Sequence, residues 1–349
     1  MTDRMTRLRE RLELPLLVTD PTNIRYLTGF QSSNAALLVE QERTRLFTDF
    51  RYIEAARAVA GVDVVQTKRD LISALAELLD GRIAFERVLP YGLYEVLRDG
   101  VNGKGGLDLV PTSGAVEGLR AVKDEQELDT LRRACAITDR VFERLAELPF
   151  VGRTEREVSS DLTQLFVDEG GEGLAFESIV GAGPTGARPH ARAGDRTIGA
   201  GELVVIDAGT TIEGYASDYT RTFATGELDG EAKEAYETVK AAQQAALDGI
   251  RAGMSGVDAD MLARAVIDAS PFSGTMGHGL GHGLGLEVHE APKLSTESTN
   301  VLEPGNVVTV EPGVYLEGRF GVRIEDNVVV RTDGIENLTG LTKDLVTVA

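Results

Sequence analysis

Apolar residues in the first third of the chain recur in short blocks. Leu14 to Val18 is an apolar run closed by Asp20-Pro21-Thr22-Asn23, a composition that predicts a turn. Ala35 to Val39, Arg45 to Thr48 and Ile83 to Phe85 alternate or run apolar, as strands do. Arg51 to Val59, Leu71 to Leu79 and Tyr91 to Arg98 repeat at helical spacing. In the middle one, Leu71, Leu75, Leu78 and Leu79 form a single face. Strands that alternate with helices predict an open α/β sheet.

The pattern breaks near Gly118 to Lys123, which divides the chain into an expected first domain, 1–120, and a second, 121–349. Asp124 opens a long helix with Leu128, Leu131, Ala134, Cys135, Thr138, Val141, Phe142 and Leu145 on its apolar side, ended by Pro149. Thr154 with Glu157 three residues on is a capping box for a second helix through Val167, stopped by Gly170-Gly171. Glu231 to Ile250 and Asp258 to Ala269 are further helices. Strands are predicted at Leu203 to Asp207, Tyr215 to Phe223, Val307 to Glu311 and Val322 to Val330. Helices beside a largely antiparallel sheet make this second part α+β.

Composition narrows the setting. A chain of 349 residues, 42% hydrophobic, suits two soluble globular domains. No window approaches the roughly 20 apolar residues of a membrane span. Met1 to Glu10 carries charge without an apolar core, unlike a signal peptide. The single cysteine, Cys135, excludes an internal disulfide and fits a reducing, cytoplasmic setting. Its place on a helix face predicts a packing role. The net charge of −20 argues against nucleic acid or anionic membrane as partners.

The chemistry is concentrated between Gly277 and Pro292. Three of the four histidines, His278, His282 and His289, lie there, separated by glycines. His278 and His282 have the spacing of a helical zinc pair, but Gly279, Gly281, Gly283 and Gly285 would break a helix. The stretch is therefore expected as extended chain or loop. Carboxylates elsewhere complete the picture. Asp207 ends an apolar strand, and Asp218 follows across a turn at Glu213-Gly214. Glu311 ends Val307-Val-Thr-Val, and Pro312-Gly313 turns the chain at once. Glu325 lies one strand alternation from Arg323, on the same face. Any one of these alone reads as a strand-end acid. Four of them, each costly in an apolar strand unless paired, together with the His/Gly stretch point to a metal centre.

Asp207-Ala-Gly, Ser217-Asp218-Tyr-Thr-Arg-Thr222, Gly281-His282-Gly-Leu-Gly-Leu-Glu-Val-His289-Glu, Glu311-Pro-Gly313 and Arg323-Ile-Glu325-Asp-Asn closely resemble the pita-bread metallopeptidases. Within these the chain is similar to the Xaa-Pro branch, prolidase and aminopeptidase P. Asn23-Ile-Arg-Tyr-Leu-Thr-Gly-Phe30 resembles the creatinase-type first domain of those enzymes. The resemblance implies a creatinase-type α/β domain followed by a pita-bread catalytic domain. It also implies two divalent metals, manganese foremost with cobalt or zinc as alternatives. Asp207 would hold one, His282 and Glu311 the other, and Asp218 and Glu325 would bridge.

The same resemblance implies roles around that centre. His190, in Pro189-His-Ala191, would lie beside a bound proline, and His278 and His289 would hydrogen-bond the substrate carbonyl and the tetrahedral intermediate. Arg323 would orient Glu325 or meet a substrate carboxylate, and Thr222 would hold a ligand from behind. Phe176 reads equally as proline-pocket wall or plain core. The expected activity is removal of an N-terminal residue that precedes proline, by a homodimer. Short segments between the ligands favour peptides longer than dipeptides, with the strict dipeptidase as the alternative. Creatinase-like amidinohydrolysis and a non-catalytic binding protein are further alternatives, and the intact ligand set speaks against both.

Overall fold

The computed structural model describes residues 2–100 and 107–349. Its contacts divide into two compact units, Met1–Arg120 and Ala121–Ala349. The first contains, in order, α1 (Thr2–Arg9), β1 (Leu16–Val18), α2 (Pro21–Thr28), β2 (Ala35–Val39), β3 (Thr44–Asp49) and α3 (Ile53–Ala56). Then come β4 (Asp63–Thr67), α4 (Leu71–Leu78), β5 (Gly81–Glu86), α5 (Tyr91–Asp99), β6 (Leu107–Thr112) and α6 (Glu117–Arg120). The strands form one mixed sheet in the order β4-β3-β2-β1-β5-β6. Leu17, Leu38, Phe47, Leu75, Ile83 and Leu97 are its buried core.

Two local expectations fail here for physical reasons. Asp20-Pro21 is not a turn but the start of α2: the Asp20 side chain accepts from the Thr22 and Asn23 amides, and proline sits in the first turn. The residues that make turns are also those that cap helices. Of the helix expected over 51–59 only Ile53–Ala56 forms, since Asp49 holds both the amide and the side chain of Arg51 outside it.

The second unit begins with α7 (Glu125–Leu145) and α8 (Glu155–Asp168), each opened by a capping box, Asp124 with Glu127 and Thr154 with Glu157. β7 (Ile179–Ala182), β8 (Leu203–Ala208), β9 (Thr211–Ile212), β10 (Tyr215–Ala216) and β11 (Tyr219–Ala224) follow. Next are α9 (Gly230–Gly249), α10 (Gly256–Asp268), β12 (Gly281–Gly283), β13 (Glu290–Leu294) and β14 (Val307–Val310). The chain ends with β15 (Gly313–Leu316), β16 (Phe320–Arg323), β17 (Asp326–Arg331) and β18 (Gly334–Asn337). One antiparallel sheet runs β11-β8-β7 and another β13-β12-β14-β17-β18. α7 and α8 pack on the first through Cys135, Phe142, Leu162, Phe166, Ile206 and Phe223. α9 and α10 pack on the second through Tyr236, Val239, Ile267, Val308 and Val328. Helices over antiparallel sheets make the α+β arrangement. Cys135 is buried, and burial pushes its thiol up to about 12, so it packs rather than reacts.

Two expected strands are each broken in two. Tyr215 to Phe223 is interrupted at Ser217-Asp218, and Val322 to Val330 at Ile324-Glu325. The free amides at the breaks find partners across the unit. Asp218 N–H donates to Asn327 Oδ1 at 3.1 Å and Glu325 N–H to the Thr220 carbonyl at 3.0 Å. Among the described residues no helix is long and apolar enough to cross a membrane.

Candidate metal centre

The two breaks, two strand ends and one short strand bring the acids and an imidazole together. Asp207 sits in β8 opposite Thr220 of β11. Asp218 and Glu325 occupy the breaks, and Glu311 follows β14 directly. His282 lies in the middle of β12, squeezed between β13 and β14. A Cβ on Gly281 would run into the Thr309 carbonyl, and one on Gly283 into the Ala291 carbonyl. The glycines beside His282 are thus required by close packing of three strands.

Asp218, His282 and Glu325 present ligand atoms within 4.8 Å of one another. His282 Nε2 is 3.3 Å from Glu311 Oε1 and 3.7 Å from Asp218 Oδ2. Asp207 joins the cluster through its charge, which is felt at Asp218, Glu311 and Glu325. Burial, then repulsion from Asp207 and Glu311, raises Asp218 well above the ordinary carboxylate range. Burial and Asp218 do the same to Glu325. Burial pushes Glu311 up to about 7 and lowers His282 to about 4. One buried guanidinium, Arg323, partly offsets the crowding.

These residues fit divalent cations. Asp207 Oδ1 is buried without a hydrogen-bond partner. His282 Nδ1 lies 3.1 Å from the Gly283 carbonyl and donates its proton there, which leaves the Nε2 lone pair facing carboxylates. A lone pair aimed at mutually repelling carboxylates is unfavourable, and a cation held between them would relieve it. Four carboxylates and one imidazole form a hard donor set of the kind that suits manganese, cobalt or zinc.

Around the cluster, two sequence expectations are corrected. Arg323 is 3% exposed, and four of its five N–H groups donate to protein. Nη2 donates to Asp207 Oδ2 at 2.6 Å, Nε to Thr220 Oγ1 at 2.8 Å, and Nη1 to Tyr315 Oη at 2.9 Å and to the Pro189 carbonyl. It therefore orients Asp207 directly and touches Glu325 only through Thr220, whose hydroxyl donates to Glu325 Oε2 at 2.7 Å. Thr222 holds the Arg323 backbone and no acid.

His278 stands beside the centre with both ring nitrogens engaged. Nδ1 lies 2.7 Å from the Gly279 carbonyl, and Nε2 lies 2.8 Å from Tyr315 Oη. Burial lowers this imidazole to about 4 and pushes the Tyr315 hydroxyl up to about 12. The exposed ring of His289 lies 4.2 Å, centre to centre, from that of His282. His190 is exposed and one residue past Pro189. Phe176 is half-buried before β7.

Tyr315, Thr220 and Thr309 escaped sequence reasoning. Thr309 accepts from the His282 amide and donates to Glu311 Oε1 at 3.2 Å. A hydroxyl inside an apolar strand was the available signal for the two threonines. Tyr315 had none.

Residues 129–332 match the metallopeptidase family M24, and residues 4–122 match the creatinase/prolidase N-terminal domain. The Xaa-Pro dipeptidase of Pyrococcus horikoshii is 32% identical over 334 residues, 95% of this chain and 94% of that one. A solved Xaa-Pro dipeptidase from Bacillus anthracis superposes with a TM-score of 0.95 at 36% identity, covering 99% of each chain. An X-Pro aminopeptidase from Thermotoga maritima gives 0.89 at 34% identity, covering 98% of this chain and 100% of that one. With its creatinase-type first domain and its pita-bread second one, the chain belongs to metallopeptidase family M24.

Proposed function

We propose that the protein hydrolyses the peptide bond between an N-terminal residue and a following proline. Asp207 would hold one divalent cation, His282 and Glu311 a second, and Asp218 and Glu325 both. The observation that carries the reading is the His282 Nε2 lone pair turned into a cluster of buried, mutually repelling carboxylates. When bound, such a pair polarises the scissile carbonyl and lowers the pKa of water.

The chain's own residues supply the rest. Arg323 and Thr220 fix Asp207 and Glu325, so the acids keep their places whether or not substrate is present. His289, exposed beside His282, offers a hydrogen bond to the substrate carbonyl as charge develops on it. The line from Arg323 to Tyr315 to His278 holds a proton between the phenol oxygen and Nε2, next to the reacting centre. His190 would border the proline ring. Proline has no N–H for an ordinary peptidase to grip, which is why a dedicated site is needed.

The preferred substrates are Xaa-Pro-Yaa and longer peptides, because β9–β10 and β15–β16 are tight hairpins that leave the centre without a long covering insertion. The second reading, an Xaa-Pro dipeptidase, draws on the names of the Pyrococcus and Bacillus relatives. Lys293, opposite His282 in register and felt by His289, would then meet the free carboxylate. We further read the protein as a cytoplasmic enzyme that uses manganese, on the strength of its cysteine content and its oxygen-rich donors, and as a homodimer, which the resemblance to the Xaa-Pro enzymes implies. A kcat/KM comparison of a dipeptide with its one-residue extension, with manganese, cobalt or zinc added, tests substrate and metal together. Cleavage of the dipeptide alone favours the second reading, and no cleavage of either after metal loading overturns both. Light scattering at micromolar concentration tests the dimer.

A further inference from the structure

His278 sits in Gly277-His278-Gly279, a stretch with little conformational preference of its own. Its place is nevertheless well defined, and the restraint comes from α10. Asp260 and Arg264 stand four residues apart on one face of that helix. Arg264 Nε donates to Asp260 Oδ2 at 2.6 Å and Nη2 to Asp260 Oδ1 at 3.0 Å. The same guanidinium reaches the loop: Nη1 donates to the Met276 carbonyl at 2.9 Å and Nη2 to the His278 carbonyl at 2.7 Å. On the far side of His278, Leu280 N–H donates to Asp260 Oδ1 at 2.9 Å. The Leu280 carbonyl in turn accepts from the Glu311 amide at 2.8 Å. Asp260 is fully buried, and the hydrogen bonds of the two side chains go to each other, to the Met276 and His278 carbonyls and to the Leu280 amide, not to the candidate ligands' side chains.

We infer that Arg264 and Asp260 are positioning residues for His278, an ion pair that grips the backbone on both sides of the imidazole and aims its ring at Tyr315. The geometry needs a planar fork. One guanidinium reaches two carbonyls and both oxygens of a carboxylate, whereas a lysine ammonium, a point donor, cannot span them. Gly279 helps from the other side, since a Cβ there would stand 2.6 Å from the Leu294 carbonyl, so the loop is pressed between α10 and β13. A pair that merely stabilised the helix-to-loop junction would leave the ring free to settle elsewhere. A pair that positions the ring makes its own effect depend on the ring being there.

The inference rests on the reading of His278 as the proton-holding partner of Tyr315, and the test separates the two. Arg264→Lys, His278→Gln and the double variant are assayed with manganese on an Xaa-Pro-Yaa peptide. Ring spectra of the 15N-histidine protein, which has only four histidines to assign, are recorded alongside. Arg264→Lys is expected to lower kcat by about 10- to 100-fold with KM and manganese affinity within about threefold, the scale on which misplaced catalytic geometry acts. The His278 ring signals should move while those of exposed His190 stay. In the His278→Gln background Arg264→Lys should cost less than about threefold more. Fully additive losses, or unmoved His278 ring signals, would overturn the inference. Full activity of His278→Gln alongside moved ring signals would refute the role of His278 and leave the grip standing. Should Arg264→Lys fail to fold, Asp260→Asn, which keeps an acceptor for Leu280 N–H, reads the same signals.

Discussion

Arg323 Nη2 donates to Asp207 Oδ2 at 2.6 Å, while Asp207 Oδ1, on the same buried carboxylate, has no partner in the protein. One oxygen is anchored and the other is left for a cation. That division of labour makes a carboxylate a good ligand: the protein sets its direction and keeps one lone pair exposed to the centre.

Replacing the anchor should therefore act on metal before it acts on fold. Arg323→Lys keeps the charge but loses the fork that reaches Asp207, Thr220 and Tyr315 together. We expect about 10- to 100-fold weaker metal retention or activity, read by metal content after dialysis and by kcat/KM on an Xaa-Pro peptide. Unchanged metal content with unchanged kcat/KM would show that Asp207 needs no anchor.

The two threonines of β11 should behave differently. Thr220→Val removes the hydroxyl that links Arg323 to Glu325 and leaves a buried donor unmet, at a cost of about 1–3 kcal/mol. Thr222→Val removes only contacts to the Arg323 backbone. Activity should fall at least about tenfold in the first and less than about threefold in the second. Equal losses would contradict the assignment of Thr220 as the link.

Metal removal should abolish hydrolysis and lower the melting temperature, because a cation that binds only the folded centre stabilises it by mass action. Manganese should restore both. Asp218→Asn, nearly the same shape without the charge, should lose most activity while its circular dichroism spectrum stays that of the parent. Near-full activity of either the chelated protein or this variant refutes the dinuclear scheme.

A pH dependence is expected in the first unit. Glu86 is 4% exposed, and burial raises it to about 7 even though the Thr19 and Asp20 amides and Asn23 donate to it. The folded state then holds a proton that the unfolded chain has released. Its contribution, on the order of 3 kcal/mol, is complete below about pH 4.5 and is lost as pH rises through about 7. Hydrogen exchange of β5 and α2 amides, relative to Glu86→Gln, should show protection at pH 5 that shrinks by pH 8. Protection that grows with pH would mean that the three donors outweigh burial.

Much of this protein is legible in its sequence because the signals are local. The Thr154–Glu157 capping box, the long helices α7 to α10 and the apolar strands β2 and β8 follow from residue spacing within a few turns. The five candidate ligands stand out because acids in apolar strands and a His/Gly stretch are costly without a purpose. Other features were decided only in three dimensions. Asp20-Pro21 has turn composition, yet the amides of Thr22 and Asn23 make it a helix cap. The breaks at Asp218 and Glu325 sit inside sequences that read as continuous strands, and they open because Asn327 and Thr220 supply partners from the other strand. Tyr315 and Arg264 have no spacing that marks them, and Thr220 is marked only by a hydroxyl inside an apolar strand. Each acts on a group 8 to 105 positions away along the chain, and those hydrogen bonds exist only once hairpin, helix and sheet have taken their places.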